Sequence, residues 1–196
     1  MRYWLSVLLP VLLFGLLHCS AINEEDTQQD DYPFEAPSDT MLNPFVINRE
    51  LGRGVNMGNA LDAPNEGDWG VVIKDAYFDS IKNAGFQSIR LPVRWSAHAE
   101  AQQPYTIDET FMLRVIHVVN TALQKGLSVI LDMHHFNELM ADPSAQTERF
   151  LNIWEQIAKR FKHYPDRLVF EILNEPNDQL TPEPVSYTHL TLPTKA

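Results

Sequence analysis

The sequence predicts an α/β fold: a (β/α)8 barrel, truncated to about its first four βα units. Three observations lead there. Four short β-forming runs recur about 35 to 43 residues apart, and amphipathic helical stretches separate them. That spacing is generous for a doubly wound sheet but ordinary for a barrel with long βα loops. Each run also ends in polar residues, at the lip where parallel α/β folds place their working groups.

The 196 residues suffice for one ordinary domain, and an apolar share of 44% is enough to bury a core. Ahead of that domain, Arg2 and the apolar run from Leu5 to Leu17 predict a secretory signal peptide over residues 1–21. Cys19-Ser20-Ala21 offers a small-residue cleavage site. The run falls short of the about 20 residues of a comfortable membrane span. The mature protein is therefore expected to be secreted, extracellular or periplasmic. Lipidation at Cys19 is the alternative, although His18 fits a lipoprotein signal badly. Cys19 is the single cysteine, so cleavage after Ala21 would leave no disulfide framework.

Residues 22–40 read as an acidic, disordered linker. Glu24, Glu25, Asp26, Asp30, Asp31, Glu35 and Asp39 stand there without a base. Much of the formal net charge of −11 is local to this stretch. Nucleic acid and anionic membranes are poor partners for so acidic a chain.

The folded domain is expected over residues 41–184. Arg53 to Met57 form a first strand, followed by the loop Gly58-Asn59-Ala60-Leu61-Asp62. Ile73, Tyr77, Ile81 and Ala84 share one face of a helix that Gly85 ends. Phe86 to Val93 form the second strand. The next helix runs from about Asp108 to Lys125, with Phe111, Val115, Val118, Ala122 and Leu123 inward and Gly126 as its stop. Leu127 to Met133 form a third, buried strand ending at His134-His135. A third helix runs from about Ala145 to His163, with Phe150, Ile153, Trp154, Ile157 and Phe161 inward. Leu168 to Leu173 form the fourth strand, also buried, and Asn174-Glu175-Pro176 stops it. Pro176 lacks a ladder donor and biases Glu175 toward extended backbone.

Residues 185–196 carry no helical stripe and are rich in Thr and Pro. They are expected to be a non-family tail, of the kind vector or sequencing read-through produces.

At the four lips stand Asn59 and Asp62, then Arg90 and Pro92, then His134 and His135, then Asn174 and Glu175. In a barrel these converge on one rim. Three stretches occur in order: Ile89-Arg90-Leu91-Pro92-Val93-Arg94-Trp95, Leu131-Asp132-Met133-His134-His135 and Asn174-Glu175-Pro176. With them the chain resembles glycoside hydrolase family 5 (cellulase family A, clan A), a family of retaining (β/α)8 glycosidases. The likeness extends from about Leu51 to Glu183. Asn56 to Pro64 and Glu66 to Gly70 look especially like bacterial endoglucanases of this family that also accept mannan.

The resemblance implies roles. Glu175 matches the general acid/base and Asn174 the amide that binds the sugar 2-hydroxyl. Arg90 matches the arginine that keeps the nucleophile ionised. His134 and His135 match histidines lining the subsites beside the cleavage point. Asn59 and Asp62 match a pair that binds hydroxyls, although Asp62 is one carbon shorter than the expected Glu. Trp69, in a loop, is placed to stack on a sugar ring, and Pro92 lies at the substrate rim. Trp95 is as consistent with wall packing as with stacking. The nucleophile, a glutamate on the family's seventh strand, is expected to be absent from this chain, which would leave the fragment inactive. Glu171, on the strand rather than its lip, is expected to make a structural contact.

The implied chemistry needs two carboxyls about 5–5.5 Å apart and no cofactor. The implied partner is a β-linked polysaccharide, glucan or mannan, and the implied activity is that of an endo-β-1,4-glucanase. β-Mannanase activity and a carbohydrate-binding pseudoenzyme remain the alternatives. A metal site at His134, His135 and Glu138 is disfavoured, because adjacent residues on a strand point to opposite sides. No HExxH spacing, phosphate-binding Gly loop or GxSxG elbow is present.

Overall fold

The computed structural model describes residues 43–181. The expected leader, the acidic linker and the 185–196 tail lie outside the described residues, as does Cys19.

The chain enters through a helix that the apolar pattern does not announce, α1 (Pro44–Leu51), capped by the Asn43 side chain accepting the Phe45 N–H. Then come β1 (Gly54–Asn56), α2 (Ala76–Asn83), β2 (Ser88–Val93), α3 (Glu109–Gln124) and β3 (Ser128–Met133). A short α4 (Asn137–Ala141), also unexpected, precedes α5 (Pro143–Phe161), and β4 (Leu168–Glu171) follows. The strands pair in parallel in the order β1-β2-β3-β4. Each βα unit therefore returns to lie beside its predecessor.

Local chemistry sets the helix limits. Asp108 accepts the Phe111 N–H at the start of α3, and Asp142 accepts the Ala145 N–H ahead of Pro143 at the start of α5. Gly85 and Gly126 sit at φ 82° and 73° just past the C-caps of α2 and α3. At both ends two reversed bonds close the helix: Phe86 N–H to Ile81 O with Gly85 N–H to Lys82 O, and Leu127 N–H to Ala122 O with Gly126 N–H to Leu123 O. This Schellman closure needs a left-handed residue, which glycine adopts without a Cβ clash.

The five inward residues expected in α3 are buried, and so are the five in α5. In α2 the expected stripe is displaced by one residue. Phe78 is the buried anchor, whereas Tyr77 and Ala84 are exposed and Ile73 is buried ahead of the helix. Glu66 explains the shift. Its carboxylate accepts the Ile73 N–H and both Arg114 donors, which holds Ile73 in a non-helical approach. The expected burial of β4 is also revised: beyond Leu168 it is half-buried, because among the described residues it pairs on one side only.

The sheet has two chemically distinct faces. Ile89, Leu91, Val93, Val129, Leu131 and Met133 are fully buried, and Phe170 on that face meets Trp154 and Phe161 of α5. The alternate positions carry Asn56, Ser88, Arg90, Ser128, Asp132 and Glu171, which register places side by side. In a barrel that second face is the interior. Pro92 is tolerated within β2 because its missing N–H faces the β1 side. There the pairing has already ended at Asn56↔Arg90.

Candidate active site

Arg90 organises the polar face. Its Nε and Nη2 donate to the two oxygens of Glu171 at 2.7 and 2.6 Å, a fork-to-fork pair. Nη2 also lies 2.5 Å from Asp132 Oδ2 and donates to Asn174 Oδ1 at 2.9 Å, while Nη1 reaches Asn56 Oδ1 at 3.1 Å. Four strands thus meet at one guanidinium. The Glu171 hydrogen bond raises its pKa above the ordinary arginine value; burial opposes this, and Asp132, Glu171 and Glu175 add to it. Glu171 therefore makes the expected structural contact, with both oxygens committed to Arg90.

Asp132 is fully buried and lies between Arg90 and His134, whose Nδ1 is 3.0 Å from Oδ2. Neither Asp132 nor Asn56 stands out as a site residue from the motifs. The available signal was a lone acid inside the apolar run Val129 to Met133, which must find a partner if buried.

Asn174 is held at the lip by its own N–H, which donates to Met133 O at 3.0 Å. Glu175 is exposed and adopts φ 41°, not the extended backbone that Pro176 favours. The turn itself imposes this conformation. Asn174 is tied to β3, and the Asn177 side chain donates to Glu175 O at 2.9 Å. Such a non-glycine φ costs on the order of 1–3 kcal/mol and is typical of functional loops.

The histidines require a larger correction. They lie past the end of β3, where strand alternation no longer holds, and His135 has φ 47°. That backbone reversal brings both rings to one side, edge to face at 4.5 Å between centroids. The expectation that they diverge is overturned. Glu138 is exposed, and Asp62 takes its place in the cluster: one donor atom each from Asp62, His134 and His135 fall within 4.8 Å of one another. Burial, followed by the neighbouring His134, pushes the His135 pKa below the ordinary imidazole value.

Asp62 is itself buried, accepting the N–H groups of Asn59 and Ala60 at 3.1 and 2.8 Å. It shapes the loop that presents Asn59, which is exposed at φ 64°. Trp69 is 44% exposed, and its ring lies perpendicular to that of His135, with 5.6 Å between centroids. Two residues do not join the open site. Pro92 is buried opposite Asp132, with no surface to offer a substrate. Trp95 is fully buried, donating Nε1–H to Asp132 O at 3.0 Å, which makes it wall packing. His98 stacks on Phe111 at 3.6 Å, and the exposed His117 pairs with Asp75 at 2.9 Å.

A parallel α/β sheet with an arginine-centred polar face and amide, carboxylate and imidazole groups at its lips is what part of a (β/α)8 barrel presents at its C-terminal rim. Comparison with known proteins agrees. The sequence pattern of the family Cellulase (glycosyl hydrolase family 5) matches residues 52–191, into the stretch expected to be a non-family tail. Endoglucanase H of Acetivibrio thermocellus is 44% identical over 144 residues, covering 74% of this chain and 16% of that protein. Among solved structures, endoglucanase Cel5A of Thermotoga maritima is 56% identical with a TM-score of 0.75, covering 76% of this chain and 48% of that one. Cel5A has also been solved in complex with cellobiose and, at 56% identity and TM-score 0.74, with mannotriose. The chain belongs to glycosyl hydrolase family 5. Its fold class is that of the (β/α)8 barrel, with four of the strands described here. It spans about half the length of the Cel5A chain.

Proposed function

We propose that this chain supplies the acid/base half of a retaining endo-β-1,4-glucanase active site. The observation that carries the reading is the Arg90 hub. It fixes Asn174 at the β4 lip, directly before Glu175, whose negative charge helps to raise the Arg90 pKa. Glu175 donates a proton to the glycosidic oxygen as the C–O bond breaks, then takes one from water in the second step. The attacking carboxylate belongs to a segment outside the described residues. Neither Glu171, with both oxygens on Arg90, nor the fully buried Asp132 can attack a sugar. Asn174, the two histidines, Asn59 and the exposed Trp69 line the approach for a β-linked chain. The apolar run from Leu5 to Leu17 behind Arg2 supports a place outside the cytoplasm.

Mannan is a second substrate supported by a specific observation, the mannotriose complex of Cel5A. One experiment tests the proposal. The chain is combined with a polypeptide supplying strands five to eight of Cel5A, and reducing ends are measured on β-1,4-glucan and on glucomannan. Activity that appears only in the combination, and vanishes with Glu175→Gln while oligosaccharide binding persists, supports the reading. Binding without turnover in the unsubstituted combination would instead identify a carbohydrate-binding pseudoenzyme.

A further inference from the structure

We infer that Asp62, His134 and His135 form a binding site for one divalent first-row transition-metal ion of the zinc and copper class, just past the C-terminal end of β3. The inference does not depend on the hydrolase reading. It rests on three features of the cluster.

The first is convergence. The positive φ of His135 turns its ring to the side occupied by His134, and Asp62 approaches both, with donor atoms within 4.8 Å of one another. Donors on a tetrahedral zinc ion at about 2.0–2.1 Å stand roughly 3.4 Å apart, so the cluster must contract by about 1.4 Å at most. Asp62 is clamped by two backbone N–H groups and stays in place. His135 is only partly buried and can rotate toward it.

The second feature is the outer shell. Asp132 takes Nδ1 of His134 at 3.0 Å. A carboxylate behind an imidazole fixes the tautomer with Nδ1 protonated, leaves Nε2 as the ligating atom and strengthens its basicity. Asp132 is in turn anchored by Arg90, so the imidazole rests on a rigid support.

The third is ligand chemistry. Two imidazoles and one carboxylate suit zinc, copper or nickel, whereas magnesium and calcium prefer all-oxygen shells. With three protein ligands, the fourth position would be left for water, an open-position site.

Co²⁺ serves as the spectroscopic probe, added to the full chain in a Cys19→Ser background that removes the single thiol. The expected result is one ion per chain, with the intense visible ligand-field bands of low coordination. His134→Ala and His135→Ala should each abolish those bands. Asp132→Asn, which leaves all three ligands intact, should weaken affinity about 10–100-fold, as loss of an outer-shell partner does. Cu²⁺ should quench Trp69 fluorescence in the parent and not in His135→Ala, with far-UV circular dichroism confirming that each variant is folded. His117→Ala is the decoy, since His117 pairs with Asp75 on the surface. An octahedral aquo-type spectrum, equal binding by parent and His135→Ala, or loss of binding only in His117→Ala would overturn the inference.

Discussion

Replacing Arg90 by Met should expose how strongly the polar face depends on one cation. The substitution keeps an unbranched apolar stem and removes every donor to Asn56, Asp132, Glu171 and Asn174. Glu171 is 35% exposed and can recover water, but Asp132 is fully buried. It is left with His134 and a weak 3.4 Å contact from the Val93 N–H. Removing one partner of a buried pair costs about 3–5 kcal/mol, and the quarter exposure of Arg90 places this case near the lower end, about 3 kcal/mol. Asp132→Asn alone should cost about 1–2 kcal/mol, the loss of a charge-assisted hydrogen bond. If the pair is coupled, the double variant costs less than the sum, by about 2 kcal/mol. Urea unfolding followed by tryptophan fluorescence and circular dichroism measures all four corners, with an unchanged m-value showing that the same transition is compared. The coupling should also survive high salt, since a buried pair is little screened. A coupling below about 0.5 kcal/mol would refute the idea that Arg90 and Asp132 form one unit.

Other outcomes follow from the same structure. Glu66→Gln should loosen the loop carrying Asn59, Asp62 and Trp69 and cost about 1–3 kcal/mol, measured by urea unfolding. Burial favours the neutral Glu66 carboxyl, but Arg114 and the Ile73 N–H outweigh it and hold the pKa below the ordinary glutamate value. Its stabilisation is therefore full above the unfolded-state pKa and is lost as pH falls through the folded one. The parent should lose stability through that acidic window more steeply than Glu66→Gln; parallel curves would contradict it. Gly126→Ala should cost about 1–2 kcal/mol, because φ 73° strains a Cβ, and hydrogen exchange at the end of α3 should report the fraying. Asp108→Ala removes the α3 cap at a cost of about 1 kcal/mol, read as a lowered urea midpoint.

The sequence carried the repeat of strands and helices because apolar periodicity is a local signal. The α3 and α5 stripes and the two glycine stops are of this kind. The displaced α2 stripe was not legible, since the Glu66–Arg114 clamp joins residues 48 positions apart. Neither was the burial of Pro92 and Trp95, which follows from strand register and not from proximity to a motif. The lip residues were legible as a set, but their partners were not. Arg90 meets Glu171 across 81 residues, and nothing local in either strand announces the pair. The histidines show the converse error. Strand alternation ends with β3 at Met133, and a single left-handed φ two residues on, at His135, reverses its consequence.

The central claim is that Glu175 donates the proton to the leaving group. Its most direct test compares two substrates in the combined half-barrels: cellotetraose, whose leaving group needs protonation, and an aryl cello-oligoside whose phenolate leaves without it. With Glu175→Gln, hydrolysis of cellotetraose should fall about 10²–10⁴-fold, the usual contribution of a positioned acid, while bond cleavage in the aryl substrate is largely retained. Equal losses on both substrates, or none on either, would contradict the assignment.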